Sequence, residues 1–130
     1  TNKVRFVFRE FPTPPQDIAA AGFMLARCAG KEKYYPVTDM LFDKQQVWAF
    51  SDKPLDALLQ LMKQAGFTQE SFEACLKDQK VYDAVNAVKN RGVETFGVNA
   101  TPTFFINGQK QSGALTVEEL EKILTPLVGG

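Results

Sequence analysis

Few residues in this chain have both the type and the spacing that chemistry needs. Cys28 and Cys75 are its two thiols, and Thr101-Pro102-Thr103 opens an apolar run. The cysteines stand too far apart for a Cys-x-x-Cys redox pair, and two thiols are too few for a structural zinc. Each falls on the apolar stripe of a predicted helix, so the plain reading is two buried free thiols acting as small hydrophobes. Thr101-Pro102, taken alone, is a proline at the first position of a strand with an ordinary trans bond. There is no histidine. That excludes Ser-His-Asp and Cys-His catalysis, and zinc sites that need an imidazole. The acidic residues lack calcium-loop spacing, and no glycine-rich loop follows a strand to cradle phosphate. Neither a metal nor a cofactor is expected.

The elements that must position these residues can be read from periodicity. The chain has 130 residues, enough for one domain with a core of its own. Fifteen basic and fifteen acidic side chains cancel, which removes the electrostatic case for a nucleic-acid or anionic-membrane partner. No apolar run approaches the roughly 20 residues of a membrane helix. Val4–Phe8 reads as a strand apolar on both faces, hence interior to a sheet. The proline-rich connection Phe11–Pro15 cannot continue it.

Helical spacing follows. A first helix is expected from about Pro15 to Ala29, stopped by Gly30, with Ile18, Ala21, Gly22, Leu25, Cys28 and Ala29 on one stripe. A second runs from about Lys33 to Lys44, with Pro36 in its first turn or kinking it. Trp48 and Phe50 fall in the connection after it. A third is capped by Ser51 or Asp52 and buries Leu55, Leu58, Leu59 and Met62. Thr68 caps a short helix carrying Phe72 and Cys75. Asp78 opens a longer one that ends near Phe96-Gly97. The period then changes to two: Thr103–Ile106 and Gln109–Ser112 flank Asn107-Gly108, a strong hairpin signal. Thr116 and Glu119 form a capping box for a last helix that buries Leu120, Ile123, Leu124 and Leu127.

This order, together with Val4–Pro12, Phe96–Gly108 and Ser112–Ala114, resembles the DsbA family of thiol–disulfide oxidoreductases in the thioredoxin superfamily. The resemblance spans nearly the whole chain. It implies an α/β thioredoxin-like fold with an inserted helical subdomain, lacking the first strand and the Cys-x-x-Cys helix. It also implies a cis bond before Pro102, with Ala100, Thr101 and Pro102 as substrate-binding and active-site support. The backbone of Thr101 would pair with an extended client peptide, and its hydroxyl would tune a nearby sulfur. Family relatives with an extra cystine in the helical subdomain raise the alternative that Cys28 and Cys75 form a structural disulfide. Closing that loop would contribute about 4 kcal/mol in the chain-entropy model.

The family's reactive pair has no counterpart here, so no catalytic residue is assigned and the chain alone is expected to be inactive. The chain opens on Thr1 with no signal-like segment, and Val4–Phe8 has almost no lead-in. The first fits a mature product or a fragment, and the second argues for a fragment: one incomplete domain over 1–130, with an inserted helical subdomain at 15–77 and the C-terminal helix, hairpin and helix at 78–130. It is expected to be unstable alone, domain-swapped, or completed by a missing N-terminal segment. The functional expectation is the C-terminal part of a periplasmic or otherwise exported dithiol oxidase or isomerase acting on cysteine-containing clients. A redox-inactive peptide-binding or scaffolding module is the alternative, and an interaction role for the helical block alone is a third. Arg9 and Glu10 read as solvated strand-end charges. Trp48 and Phe50 read as core packing rather than a peptide groove, and the charges along Lys77–Arg91 as a solvent face.

Overall fold

The computed structural model describes residues 3–129. The chain divides into two compact units, Glu10–Asn90 and Thr1–Arg9 with Arg91–Gly130. The first is entirely helical apart from its connections. It holds α1 (Gln16–Cys28), α2 (Tyr34–Asp43), α3 (Gln45–Trp48), α4 (Pro54–Gln64), α5 (Gln69–Leu76) and most of α6 (Gln79–Phe96). It therefore takes in the proline-rich connection and most of α6, beyond the 15–77 span expected for a helical subdomain.

α1 starts after Pro15, whose φ of −73° and ψ of 118° are extended and place it outside the helix. Gly30, at φ 95°, turns the chain out of it. Leu25 from α1, Leu58 and Met62 from α4 and Val85 from α6 are fully buried and form the centre of the core. Gly22 makes one close approach possible. A Cβ built there would lie 3.2 Å from the Trp48 ring, so the indole packs directly on the α1 backbone. Trp48 is core, as its size suggests, but it closes α3 rather than sitting in a connection. Its Nε1–H donates to the Leu41 carbonyl at 2.8 Å, which satisfies the one polar atom the burial would strand. Phe50 is 67% exposed and takes no part in this packing.

Two helix details differ from the sequence expectation. The residue before α4 is Lys53, with Pro54 as its first residue; Ser51 instead accepts the Lys53 amide at 3.1 Å. A proline at the first helical position needs no capped amide, so the cap moves next to it. The buried stripe of α4 is Leu58, Leu61 and Met62, and Leu55 is 49% exposed. The period is helical as expected, but the packed face is turned away from Leu55. Before α5, Thr68 and Ser71 exchange side-chain–backbone bonds at 3.0 and 2.9 Å. α6 is tied to the proline-rich connection by Lys89, whose ammonium donates to the Pro12 carbonyl at 2.7 Å and lies over the Phe11 ring.

The second unit carries the sheet. β1 (Thr103–Ile106) and β2 (Gln109–Ser112) pair antiparallel, with Thr103 opposite Ser112 and Phe105 opposite Lys110. Asn107 at φ 50° and Gly108 at φ 83° supply the two positive values a two-residue turn of this hand requires. α7 (Val117–Leu127) starts on the expected capping box: Thr116 accepts the Glu119 amide at 3.1 Å, and Glu119 accepts the Thr116 amide at 2.8 Å.

The unit corrects two expectations. Val4–Phe8 is not a strand: the two-stranded sheet is β1 and β2, and Val4, Phe6 and Val7 are 46, 67 and 43% exposed. Alternation of apolar side chains supplies faces but not a ladder partner, and a strand exists only as one member of a pair. The apolar side of α7 is also not buried. Leu120, Ile123 and Leu124 are half-exposed and Leu127 is 53% exposed, because no described layer covers them fully. The thioredoxin-like α/β character thus rests on the order helix, hairpin, capped helix.

Candidate functional site

The corner between α6 and β1 is built from backbone. α6 ends where Gly97 takes φ 65°, a conformation that favours glycine. The Val98 amide then donates back to the Gly92 carbonyl at 3.0 Å. From the facing strand, the Lys110 ammonium donates to the Gly97 carbonyl at 2.6 Å. The rings of Phe96 and Phe105 meet edge to face, their centroids 5.7 Å apart.

Ala100, Thr101 and Pro102 follow, all exposed, with a cis bond between Thr101 and Pro102. Their carbonyls are not equivalent. The Thr103 hydroxyl donates to Ala100 at 2.6 Å, and the Gly113 amide donates to Pro102 at 2.8 Å. Pro102 has no amide to offer. Among the described residues neither the N–H nor the C=O of Thr101 has a hydrogen-bond partner. One residue with both groups free and exposed is what a hydrogen-bonded antiparallel pair needs, since the two residues of such a pair exchange both bonds.

The cysteines form a separate feature in the helical unit. Cys28 and Cys75 are joined in a disulfide across 47 positions, with their Cα atoms 6.2 Å apart. Cys75 is buried, but Cys28 is exposed at the end of α1. Of the two readings, the structural disulfide is the one found, and that of two buried free thiols is corrected. The last turn of α1 runs past the core, so a stripe residue there reaches solvent.

Glu10 also departs from its reading. It is 3% exposed, not a solvated strand-end charge. Arg27 grips it with two bonds, Nε to Oε2 at 2.6 Å and Nη2 to Oε1 at 2.9 Å, and the Tyr34 hydroxyl donates to Oε2 at 2.8 Å. Burial pushes the Glu10 carboxyl up. The hydrogen bonds from Arg27 and Tyr34, with the Arg27 charge, outweigh it and hold the group below the ordinary carboxylate range. Burial and the neighbouring carboxylate push the Tyr34 phenol well up, so it stays a donor. This triad pins the start of the helical unit to α1 and α2. Sequence reasoning missed Arg27 and Tyr34 because the partners lie 17 and 24 positions from Glu10. It also missed Lys110, whose hairpin register was legible but whose reach to Gly97 was not.

The thioredoxin family model matches residues 1–125. Putative protein-disulfide oxidoreductases of Rickettsia typhi and Rickettsia felis are 32 and 31% identical over 109 and 121 residues. Those matches cover 83 and 92% of this chain and 40 and 42% of the relatives, so the chain spans about two fifths of their length. In fold, it is similar to the crystal structure of Wolbachia pipientis alpha-DsbA1, with a TM-score of 0.83 at 24% identity over 94% of this chain and 67% of that one. A protein-disulfide isomerase of Novosphingobium aromaticivorans gives 0.75 at 13% identity, over 88% of this chain and 70% of that one. A helical core, a hairpin entered through Thr-Pro and a capped last helix accompany these matches: the fold is like that of alpha-DsbA1, and the chain belongs to the thioredoxin family.

Proposed function

We propose that the chain is the C-terminal part of a DsbA-like thiol–disulfide oxidoreductase and supplies its substrate-binding corner. The observation that carries this reading is Thr101, exposed, with its amide and carbonyl both unengaged. An extended client segment can lay one residue against it by strand addition. Ala100 and Pro102 flank that residue and complete the surface.

The redox step needs a Cys-x-x-Cys pair from outside these 130 residues, because Cys28 and Cys75 stand 47 positions apart and cross-link two helices. In the oxidase direction, a client thiolate attacks the enzyme's disulfide and one enzyme sulfur leaves as thiolate. A second client thiolate then attacks the mixed disulfide. The client loses two electrons and two protons, and the enzyme pair gains two electrons and becomes a dithiol. The helical unit serves this chemistry as scaffold. The clients are cysteine-containing proteins, and the setting is an exported, oxidising compartment such as the periplasm, consistent with a structural disulfide. The missing N-terminal segment, or its equivalent from a second copy, is the partner that completes the domain.

A reduced dithiol peptide incubated with the full-length protein tests the reading by mass spectrometry. The peptide should lose two hydrogens as the protein gains two thiols, while the 130-residue chain alone gives no exchange. Peptide binding without any exchange in the full-length protein would instead support a redox-inactive peptide-binding or scaffolding module.

A further inference from the structure

We propose that Thr103 and Lys110 are positioning residues for the corner: Thr103 fixes the Ala100 carbonyl and Lys110 the Gly97 carbonyl, so that a client peptide pairs with Thr101 and not with its neighbours. The inference rests on the reading of the corner as a peptide-binding edge.

Three carbonyls border the corner, and each is held by a different kind of donor. Lys110 holds Gly97 with an ammonium at 2.6 Å, Thr103 holds Ala100 with a hydroxyl at 2.6 Å, and Gly113 holds Pro102 with a backbone amide at 2.8 Å. The Gly113 bond belongs to the main chain and survives any side-chain change. The other two depend on side-chain identity. A carbonyl has two lone pairs, so engagement does not abolish further acceptance. It fixes the direction of the C=O and leaves one acceptor site where there were two.

A client peptide could pair with Ala100 or Pro102 in place of Thr101 only through their own donors and acceptors. Pro102 has no donor, and the Ala100 carbonyl is already turned to the Thr103 hydroxyl. Thr101 is therefore the corner residue that can exchange both bonds with a client. Lys110 acts one step further back. By holding the carbonyl at the end of α6, it sets where the segment Val98–Thr101 begins.

The test uses the full-length protein and a reduced dithiol peptide, with KM and kcat for peptide oxidation and the amide shifts of Ala100 and Thr101 on peptide binding. Thr103→Val keeps the branched shape and removes the hydroxyl. It should raise KM about fivefold, the factor for one net hydrogen bond, with kcat and Tm little changed, and should spread the peptide-induced shift onto Ala100. Thr103→Ser should restore wild-type values. Lys110→Met should raise KM about twofold, as fits an exposed charge, and Lys110→Arg should recover most of it. The proposal is overturned if Thr103→Val matches wild type, or if Thr103→Ser fails as badly as Thr103→Val. A wild-type protein that binds the peptide without moving the Thr101 amide would overturn the underlying reading of the corner instead.

Discussion

The helical unit and the hairpin unit are held together by different physics. Between Glu10 and Asn90, side chains from six helices are buried around Leu25, Leu58, Met62 and Val85, and a disulfide and a half-buried ion pair add to that burial. In the described residues of the other unit no side chain is buried. Its order comes from directed bonds: a turn with two positive φ values, a capping box and three held carbonyls. Burial of a large apolar side chain contributes about 1.5–3 kcal/mol, and a hydrogen bond nets only about 1 kcal/mol. Stability is therefore concentrated in the scaffold, and the proposed client-facing corner sits in the unit with little of it. Segments that engage ligands are commonly drawn from the low-stability end of a protein.

Four measurements would break or sharpen that contrast. Reducing Cys28–Cys75 removes a cross-link spanning 47 positions. It should lower the stability of the helical unit by about 4 kcal/mol at most, read from the urea midpoint, and leave hydrogen exchange in the hairpin unchanged. Leu58→Ala should cost roughly 3 kcal/mol, and Leu124→Ala on half-exposed α7 under about 1 kcal/mol. Equal costs in thermal melts would erase the difference between the units.

Glu10→Gln should cost about 2 kcal/mol, the scale of bonds to a charged group, since Arg27 is only partly shielded. The pH dependence follows from the lowered Glu10 value. The native state holds the carboxylate, so its contribution is complete above the ordinary carboxylate pKa and is lost as pH falls through the lowered native value. Acid titration of the melting temperature should show that loss in the wild type and a flatter curve in Glu10→Gln. Last, Thr116→Ala removes one cap. It should cost about 1 kcal/mol, seen as faster amide exchange in α7 and nowhere in α1 to α5.

Much of this was legible in the chain itself, and the pattern of what was not is instructive. Asn107-Gly108, Thr116 with Glu119 and the helix stops at Gly30 and Gly97 are local devices. Their partners lie within a few residues, so they can be read from sequence and appear as expected. The Thr-Pro corner was also legible as a motif, but the engagement of its neighbours by Thr103 and Gly113 was not. Failures came where meaning depends on a distant neighbour. Val4–Phe8 had the composition of a strand but needed a ladder. Leu55 had helical spacing but faced away from the packed side. Glu10 looked like a surface charge until Arg27 and Tyr34 were placed around it. Gly22 gave no signal, because its role is to admit the Trp48 ring.

Trp48 has one more consequence, for how the molecule can be observed. It is the single tryptophan, and the three tyrosines are Tyr34, Tyr35 and Tyr82, so all four chromophores lie between Glu10 and Asn90. Native absorbance and emission near 280 nm excitation therefore come wholly from the scaffold, and the hairpin and its corner contribute only phenylalanine. A fluorescence melt of the native chain is a one-sided thermometer: it follows the helical unit and is blind to opening at Thr101.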